Sequence, residues 1–199
     1  MNLPASPEEL SSAVRNRYSK VGETPDDASG FRVGRAFAEA LGYPADVLSG
    51  LPASVCESFT GVAAAALLAE VRPGQTVVDL GSGGGLDLIL LAHAAGPTGG
   101  VIGIDFAPGM VERSRANVAE LALSWVRIDE VPAEATGLPD AYADWVVVNG
   151  LLNLTPDKAA VLHEIARILK PTGELLLAET TLRAPLSDTA IQSVDDWFR

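Results

Sequence analysis

One stretch, Thr76–Asp87 (TVVDLGSGGGLD), constrains this chain more than any other. Thr76, Val77, Val78, Asp79 and Leu80 read as a buried strand. A glycine cluster follows, and a helix opens near Gly85 with Leu86, Leu88, Ile89, Leu91 and Ala92 as its apolar run. A strand, a glycine turn and a helix in this order suit a nucleotide. The glycines let the backbone turn tightly and approach a ligand, and the free N–H groups at the helix start favour an anion.

The glycine spacing narrows the choice of ligand. The dinucleotide fingerprint G-x-G-x-x-G would place its third glycine at position 86, where the chain has Leu86, so an NAD-type oxidoreductase is the weaker alternative. The pattern present is D-x-G-x-G-x-G, made by Asp79, Gly81, Gly83 and Gly85. It resembles the motif of class I S-adenosylmethionine (SAM) methyltransferases. A second acid supports that resemblance. Asp105 ends the next strand, Val101–Asp105, about 20 residues after the last glycine, where a carboxylate can accept both hydroxyls of a ribose.

Composition removes several other classes. The chain has 199 residues, 48% of them hydrophobic, enough for one sizeable core and one main domain. Asp and Glu number 26 against 14 Lys and Arg, a formal charge of −12, which repels phosphate backbones and argues against nucleic acid as a partner. A small-molecule substrate is the expectation. The single cysteine allows no internal disulfide and fits a reducing cytoplasm. Two histidines and one cysteine give no metal-ligand spacing, so no metal is expected. No apolar run reaches the ~18 residues of a membrane span, and the N-terminus lacks a signal-peptide core.

Ser6-Pro7-Glu8-Glu9 is a helix start, with Ser6 as N-cap, Pro7 in the first turn and Glu9 closing a capping box. Leu10, Val14 and Tyr18 then share one face. A second helix is expected from Phe31 to Leu41, with Val33, Phe37, Ala40 and Leu41 inward and Gly42 ending it. A third is expected from Glu57 to Glu70. Residues 1–70 read as a helical cap over the mouth of a sheet, and 71–199 as a SAM-binding Rossmann-like core. Strands and helices alternate in the core, which predicts an α/β fold with a doubly wound parallel sheet. The strands are expected at 76–80, 101–105, 124–128, 144–149 and 174–180. Helices are expected at about 85–95, 108–121 and 156–169, and another begins at Asp188. The two C-terminal strands that complete a seven-stranded methyltransferase sheet have no residues left. Strand five would then be an edge for a homodimer or a partner chain to cover.

The resemblance extends further. VRNRYSKV, YPADVLSGLP, ESFTGV, VVDLGSGGGLD, VIGIDFAPGMVERSRANV, VNGLLNLTPDK and ILKPTGELLLAE, in that order, are similar to the arsenite methyltransferase family, and closest to its cysteine-poor relatives. The family likeness implies S-adenosylmethionine as cofactor and S-adenosylhomocysteine as product. It implies that Gly81, Ser82, Gly83 and Gly85 line the cofactor, that Asp79 orients the loop and the amino group, and that Asp105 takes the ribose while Phe106 flanks adenine. Tyr18 and Ser19 align with a Tyr-Gly pair on the family's lid helix. Asn149 ends strand four beside the amino group, and Gly150, Leu151, Leu152 and Asn153 stand near the methyl group and substrate.

Two departures from the family qualify this. The acid that contacts adenine aligns with Pro132, which shifts that role to Glu134, Glu130 or the backbone. The cysteine expected after the strand-four Asn is Gly150, and Cys56 only lies near the position of another. The reading is therefore methyl transfer to a small acceptor other than arsenite, with no catalytic residue assigned. A catalytically silent SAM-binding module is the alternative. His93 and His163 read as structural or solvated, Cys56 as a small buried hydrophobe, and Trp125 and Trp145 as strand residues packed on crossover helices.

Overall fold

The computed structural model describes residues 5–25 and 32–181. Five parallel strands form one sheet: β1 (Thr76–Leu80), β2 (Gly100–Asp105), β3 (Val126–Glu130), β4 (Ala143–Asn149) and β5 (Leu169–Ala178), in the order β3-β2-β1-β4-β5. The order reverses beside β1, so the crossovers after β1 and β4 leave on opposite faces of the sheet and a crevice opens there, where ligands of open α/β sheets bind.

Buried alternation along the strands divides the core in two. Val77, Val101, Ile128, Trp145 and Val147 face α6 (Leu86–Ala95) and α7 (Pro108–Glu120). Val78, Leu80, Ile102, Ile104, Val146 and Val148 face the connection before β4 and α8 (Lys158–Ile168). The N-terminal region shares the first of these cores through Ala38, Tyr43, Leu48, Val55, Phe59 and Ala65.

α1 (Pro7–Glu23) begins with the expected capping box: Glu9 N donates to Ser6 Oγ (3.2 Å) and Ser6 N to Glu9 Oε2 (2.8 Å). Leu10 and Val14 are buried. α1 lies against the start of α7, where Ser19 Oγ accepts the Gly109 N–H at 2.9 Å and Arg113 Nε donates to the Gly22 carbonyl at 2.6 Å.

The structure redraws the next two helices. α2 spans Arg35–Ala40, with Ala38 buried and Ala40 exposed; Phe31 lies outside the described residues. After α3 (Ala45–Ser49) and α4 (Ala53–Glu57), the segment expected as one helix over 57–70 holds only α5 (Ala65–Leu68). The cause is competition for backbone donors. The N–H groups of Val62 and Ala63 go to Asn149 Oδ1 (2.8 and 3.2 Å) and that of Ala66 to Asp87 Oδ1 (2.9 Å), instead of to helical carbonyls.

β3 begins two residues later than expected. Trp125 precedes it and donates its indole N–H to the Ala92 carbonyl at 3.0 Å, which pins the α7–β3 turn onto α6. β5 begins earlier. Leu169 pairs with Ala143, and the Lys170–Gly173 segment expected as a turn is the irregularity before Glu174–Ala178 align with Trp145–Asn149. On α8, Val161, Glu164, Ile165 and Ile168 are buried, whereas Leu162 and Ala166 are exposed beside His163. β5 is an edge of the described sheet, with Leu175 and Leu177 partly exposed. No described helix is long and apolar enough to cross a membrane. The helix expected from Asp188 lies outside the described residues.

Candidate cofactor and active site

A cleft opens at the C-terminal ends of β1, β2 and β4. Its two lobes share Thr60, Gly81, Gly83 and Asn149. The outer lobe runs between Asp105, Phe106 and Val131 on one side and Tyr18, Gly150 and Leu151 on the other. Its open space, the solvent side included, is about 560 Å³. The inner lobe runs beneath residues 58–61 to Asp79 and Asp87.

The glycine loop forms the floor. Gly81 (φ 84°) and Gly83 (φ 52°) adopt left-handed backbone that other residues resist. A Cβ at Gly81 would press within 3.3 Å of Leu151, whereas one at Gly83 would meet nothing nearer than Met110 Sδ at 4.0 Å. Among the described residues, no atom fills the space over Gly83. Gly85 lines only the inner lobe; a Cβ there would come within 2.9 Å of Ser114 Oγ, so this glycine also lets α7 close on the loop.

Asp105 braces the loop from β2. Its Oδ2 accepts the Gly83 N–H and its Oδ1 the Ala107 N–H, both at 2.9 Å. Burial raises its pKa, and these backbone donors pull against that rise. Phe106 lines the outer lobe, and its carbonyl accepts from Arg15 Nε at 3.0 Å. Arg15 also pairs with Glu130 at 3.2 Å, so Glu130 serves to hold α1. Glu134 is exposed and, with Pro132, lines a separate groove bordering the outer lobe. Tyr18 reaches the outer lobe from α1, with the Thr60 side chain as a partner. Burial, then the charge of Asp105, raises its phenol well above the ordinary range, so it stays neutral.

Asn149 joins three elements. Besides accepting from Val62 and Ala63, its amide donates to the Ala63 carbonyl (2.9 Å) and to Asp87 Oδ2 (2.8 Å). Asp87 receives a third donor from the Tyr43 hydroxyl. Asp79, 2% exposed, contrasts with it: its Oδ2 has no partner. Burial first, then the neighbouring Asp87 and Asp105, pushes the Asp79 carboxyl well above the usual carboxylate range.

Of the residues expected near the substrate, Gly150 and Leu151 line the outer lobe. Leu152 and Asn153 do not. Leu152 turns into the core on the α8 side, and its N–H donates to Glu179. Asn153 is exposed, and with its amide oriented to match its neighbours the nitrogen donates to the Gly150 carbonyl (3.2 Å) and Glu179 Oε2 (3.1 Å).

Sequence reasoning passed over Asp87, Tyr43, Ser58, Thr60 and Glu179. Asp87 carried a signal, because an acid in the first turn of an otherwise apolar helix must find buried donors. The others become legible only once the 58–66 segment is seen folded over the glycine loop.

A methyltransferase domain family model matches residues 72–199, the whole of the strand–helix alternation. The chain belongs to the methyltransferase domain family. Among its methyltransferase relatives is an arsenite methyltransferase from Halobacterium salinarum, 32% identical over 92% of this chain and 50% of its own length. A demethylmenaquinone methyltransferase from Bacillus cytotoxicus is 33% identical over 56% of this chain and 47% of its own. Among solved structures, an arsenic(III) S-adenosylmethionine methyltransferase from Chlamydomonas reinhardtii superposes with a TM-score of 0.58 at 33% identity, covering 65% of this chain and 46% of that one. The chain thus spans about half the length of these relatives.

The cleft fits the S-adenosylmethionine that this methyltransferase family implies. Asp79 and Ser58 line the inner lobe, and their buried Oδ2 and Oγ have no partner among the described residues. Among the described residues, neither lobe is lined by Lys, Arg, His or Cys. Three carboxylates with no cation suit a sulfonium and an ammonium, and would repel the pyrophosphate of a dinucleotide.

Proposed function

We propose that this chain binds S-adenosylmethionine in the cleft and directs its methyl group to a small organic acceptor, and that arsenite is not its principal substrate. The observation that carries this is the absence of any thiol from the cleft. The single cysteine, Cys56, is 3% exposed, packs in the core shared by the N-terminal helices and α6, and lines neither lobe. Burial pushes its thiol up, away from the thiolate that soft trivalent arsenic requires.

When bound, the cofactor supplies a methyl group on a sulfonium whose thioether leaving group needs no protonation. The chain's own residues then have a limited task. The glycine loop and Asp105 fix the nucleoside end, and Asp79 accepts the ammonium. Val14 and Leu154 give the outer lobe an apolar wall that excludes water, while Gly150 leaves room beside Leu151. The neutral phenol of Tyr18 and the Thr60 hydroxyl can orient an acceptor by hydrogen bonds. Among the described residues, no side chain lining the outer lobe is placed as a general base, because Asp105 is engaged by the loop and Tyr18 is held neutral. The acceptor class is therefore one that is nucleophilic or readily ionised by itself.

The test is an assay with labelled S-adenosylmethionine against arsenite plus glutathione and, separately, a panel of small thiols, phenols and amines. Labelling of an organic acceptor with little labelling of arsenite is expected. Robust arsenite methylation that vanishes in Cys56→Ser would overturn the proposal.

A further inference from the structure

Four buried side-chain oxygens have no hydrogen-bond partner among the described residues: Ser58 Oγ, Asp79 Oδ2, Ser82 Oγ and Ser114 Oγ. Native interiors leave few such atoms, and each asks for an explanation. Ser114 does not line the cleft and lies against Gly85, where a Cβ would come within 2.9 Å of its hydroxyl. Ser82 lines the inner lobe from its β2 side, with a Cβ at Gly103 2.9 Å from its hydroxyl.

Ser58 and Asp79 line the same lobe and have opposite hydrogen-bonding character. Ser58, 1% exposed, follows α4 and hangs over the glycine loop: a Cβ at Gly84 would lie 2.1 Å from its Oγ. Asp79 closes the same lobe from the end of β1. One atom can donate, and the other needs a donor or a cation. The nearest guanidinium, that of Arg113, is committed to the carbonyls of Gly22 and Ser54 and to Glu57 Oε2 at 2.9 Å. An anion entering this lobe must therefore be met by neutral donors.

We propose that Ser58 donates its hydroxyl to the α-carboxylate of the cofactor, opposite Asp79 at the ammonium, so that the two read the zwitterionic amino-acid end of the ligand. This rests on the cofactor reading above. It makes Ser58 a determinant of cofactor selectivity, supplied by the N-terminal region and not by the strand–helix core. It also gives the fold of residues 58–66 a purpose. Asn149 and Asp87 take the backbone donors of Val62, Ala63 and Ala66, which breaks the helix and sets the chain around Ser58 across the loop.

Calorimetric titration of the full chain with S-adenosylmethionine and with decarboxylated S-adenosylmethionine tests this. The second ligand keeps the sulfonium and the ammonium but lacks the carboxylate. Ser58→Ala should weaken binding of the first about tenfold or more, as expected for losing a hydrogen bond to a charged group, and leave the second within about twofold. Asp79→Asn should weaken both. Unliganded melts of each variant show that the fold is kept. An equal loss for both ligands in Ser58→Ala, or no loss for either, overturns the proposal. Failure of the unaltered chain to bind either ligand would remove the cofactor reading beneath it, a different result from a change confined to Ser58→Ala.

Discussion

Gly22 and Gly109 touch through their backbones: a Cβ on Gly22 would lie 2.4 Å from the carbonyl carbon of Gly109. A Cβ on Gly109 would in turn lie 2.2 Å from the Ser19 carbonyl oxygen. The pair sets how closely α1 approaches α7, and with that the position of Tyr18 over the outer lobe. Neither flexible side chains nor solvent can yield at this contact.

Gly22→Ala should therefore push α1 off α7, destabilising the chain by about 1–3 kcal/mol and weakening cofactor binding through the displaced Tyr18. Thermal melts and calorimetry measure the two effects. An unchanged melt would show that the helices separate without cost.

Asp105→Ala should weaken S-adenosylmethionine binding roughly ten- to a hundred-fold, because it removes both the brace on Gly83 and the carboxylate facing the outer lobe. Asp129, on β3 and paired with Arg127 at 2.9 Å, is the control. Equal affinities for the Ala variants at the two positions would take Asp105 out of the site.

Tyr43→Phe removes one of three donors to buried Asp87 and should cost ~1–3 kcal/mol of stability. The loss should be larger at neutral pH than in acid, where a protonated Asp87 needs fewer donors. A melt that does not change with the substitution at either pH would separate this network from stability.

Two buried carboxylates should shape the acid limb of stability in opposite directions. Glu164 is held down to about 2, first by hydrogen bonds from Arg167 and then by those from Thr136. Its contribution is complete above its ordinary 4.5 and is lost as pH falls toward 2. Asp79 is raised, so the folded chain binds its proton more tightly, and its cost grows as pH rises above the ordinary carboxylate range. Asp79→Asn should then raise the unliganded melting temperature at neutral pH by about 2–4 °C, while Glu164→Gln should flatten the acid limb. A lower melt for Asp79→Asn at pH 7 would contradict this account.

The glycine loop and strands β1, β2 and β4 were legible because their signals are local. β-branched runs end in glycines or acids, and spacing alone sets Asp79 and Asp105 at neighbouring strand ends. The 57–70 segment misled for a physical reason. Its alanine-rich composition favours helix, but side chains distant in sequence, Asn149 and Asp87, capture its backbone donors. Helix propensity is worth tenths of a kcal/mol per residue, and such tertiary competition exceeds it. The family likeness implies places beside the substrate for Leu152 and Asn153. The short 3-10 helix Leu152–Leu154 instead rotates the first into the core and the second outward. The role of Glu130 was similarly hidden, since its partner Arg15 is an N-terminal residue.

A cleft walled by acids and, among the described residues, lined by no basic side chain behaves differently toward a donor and toward what the donor becomes. S-adenosylmethionine carries a sulfonium charge that S-adenosylhomocysteine has lost, so the attraction that retains the one is weaker for the other. Asp87 and Asp105, fixed by their own donors, cannot swing away to follow the change. Methyl departure and the loosening of the spent ligand would then be the same event, and exchange for a fresh, charged molecule would run downhill in electrostatic potential.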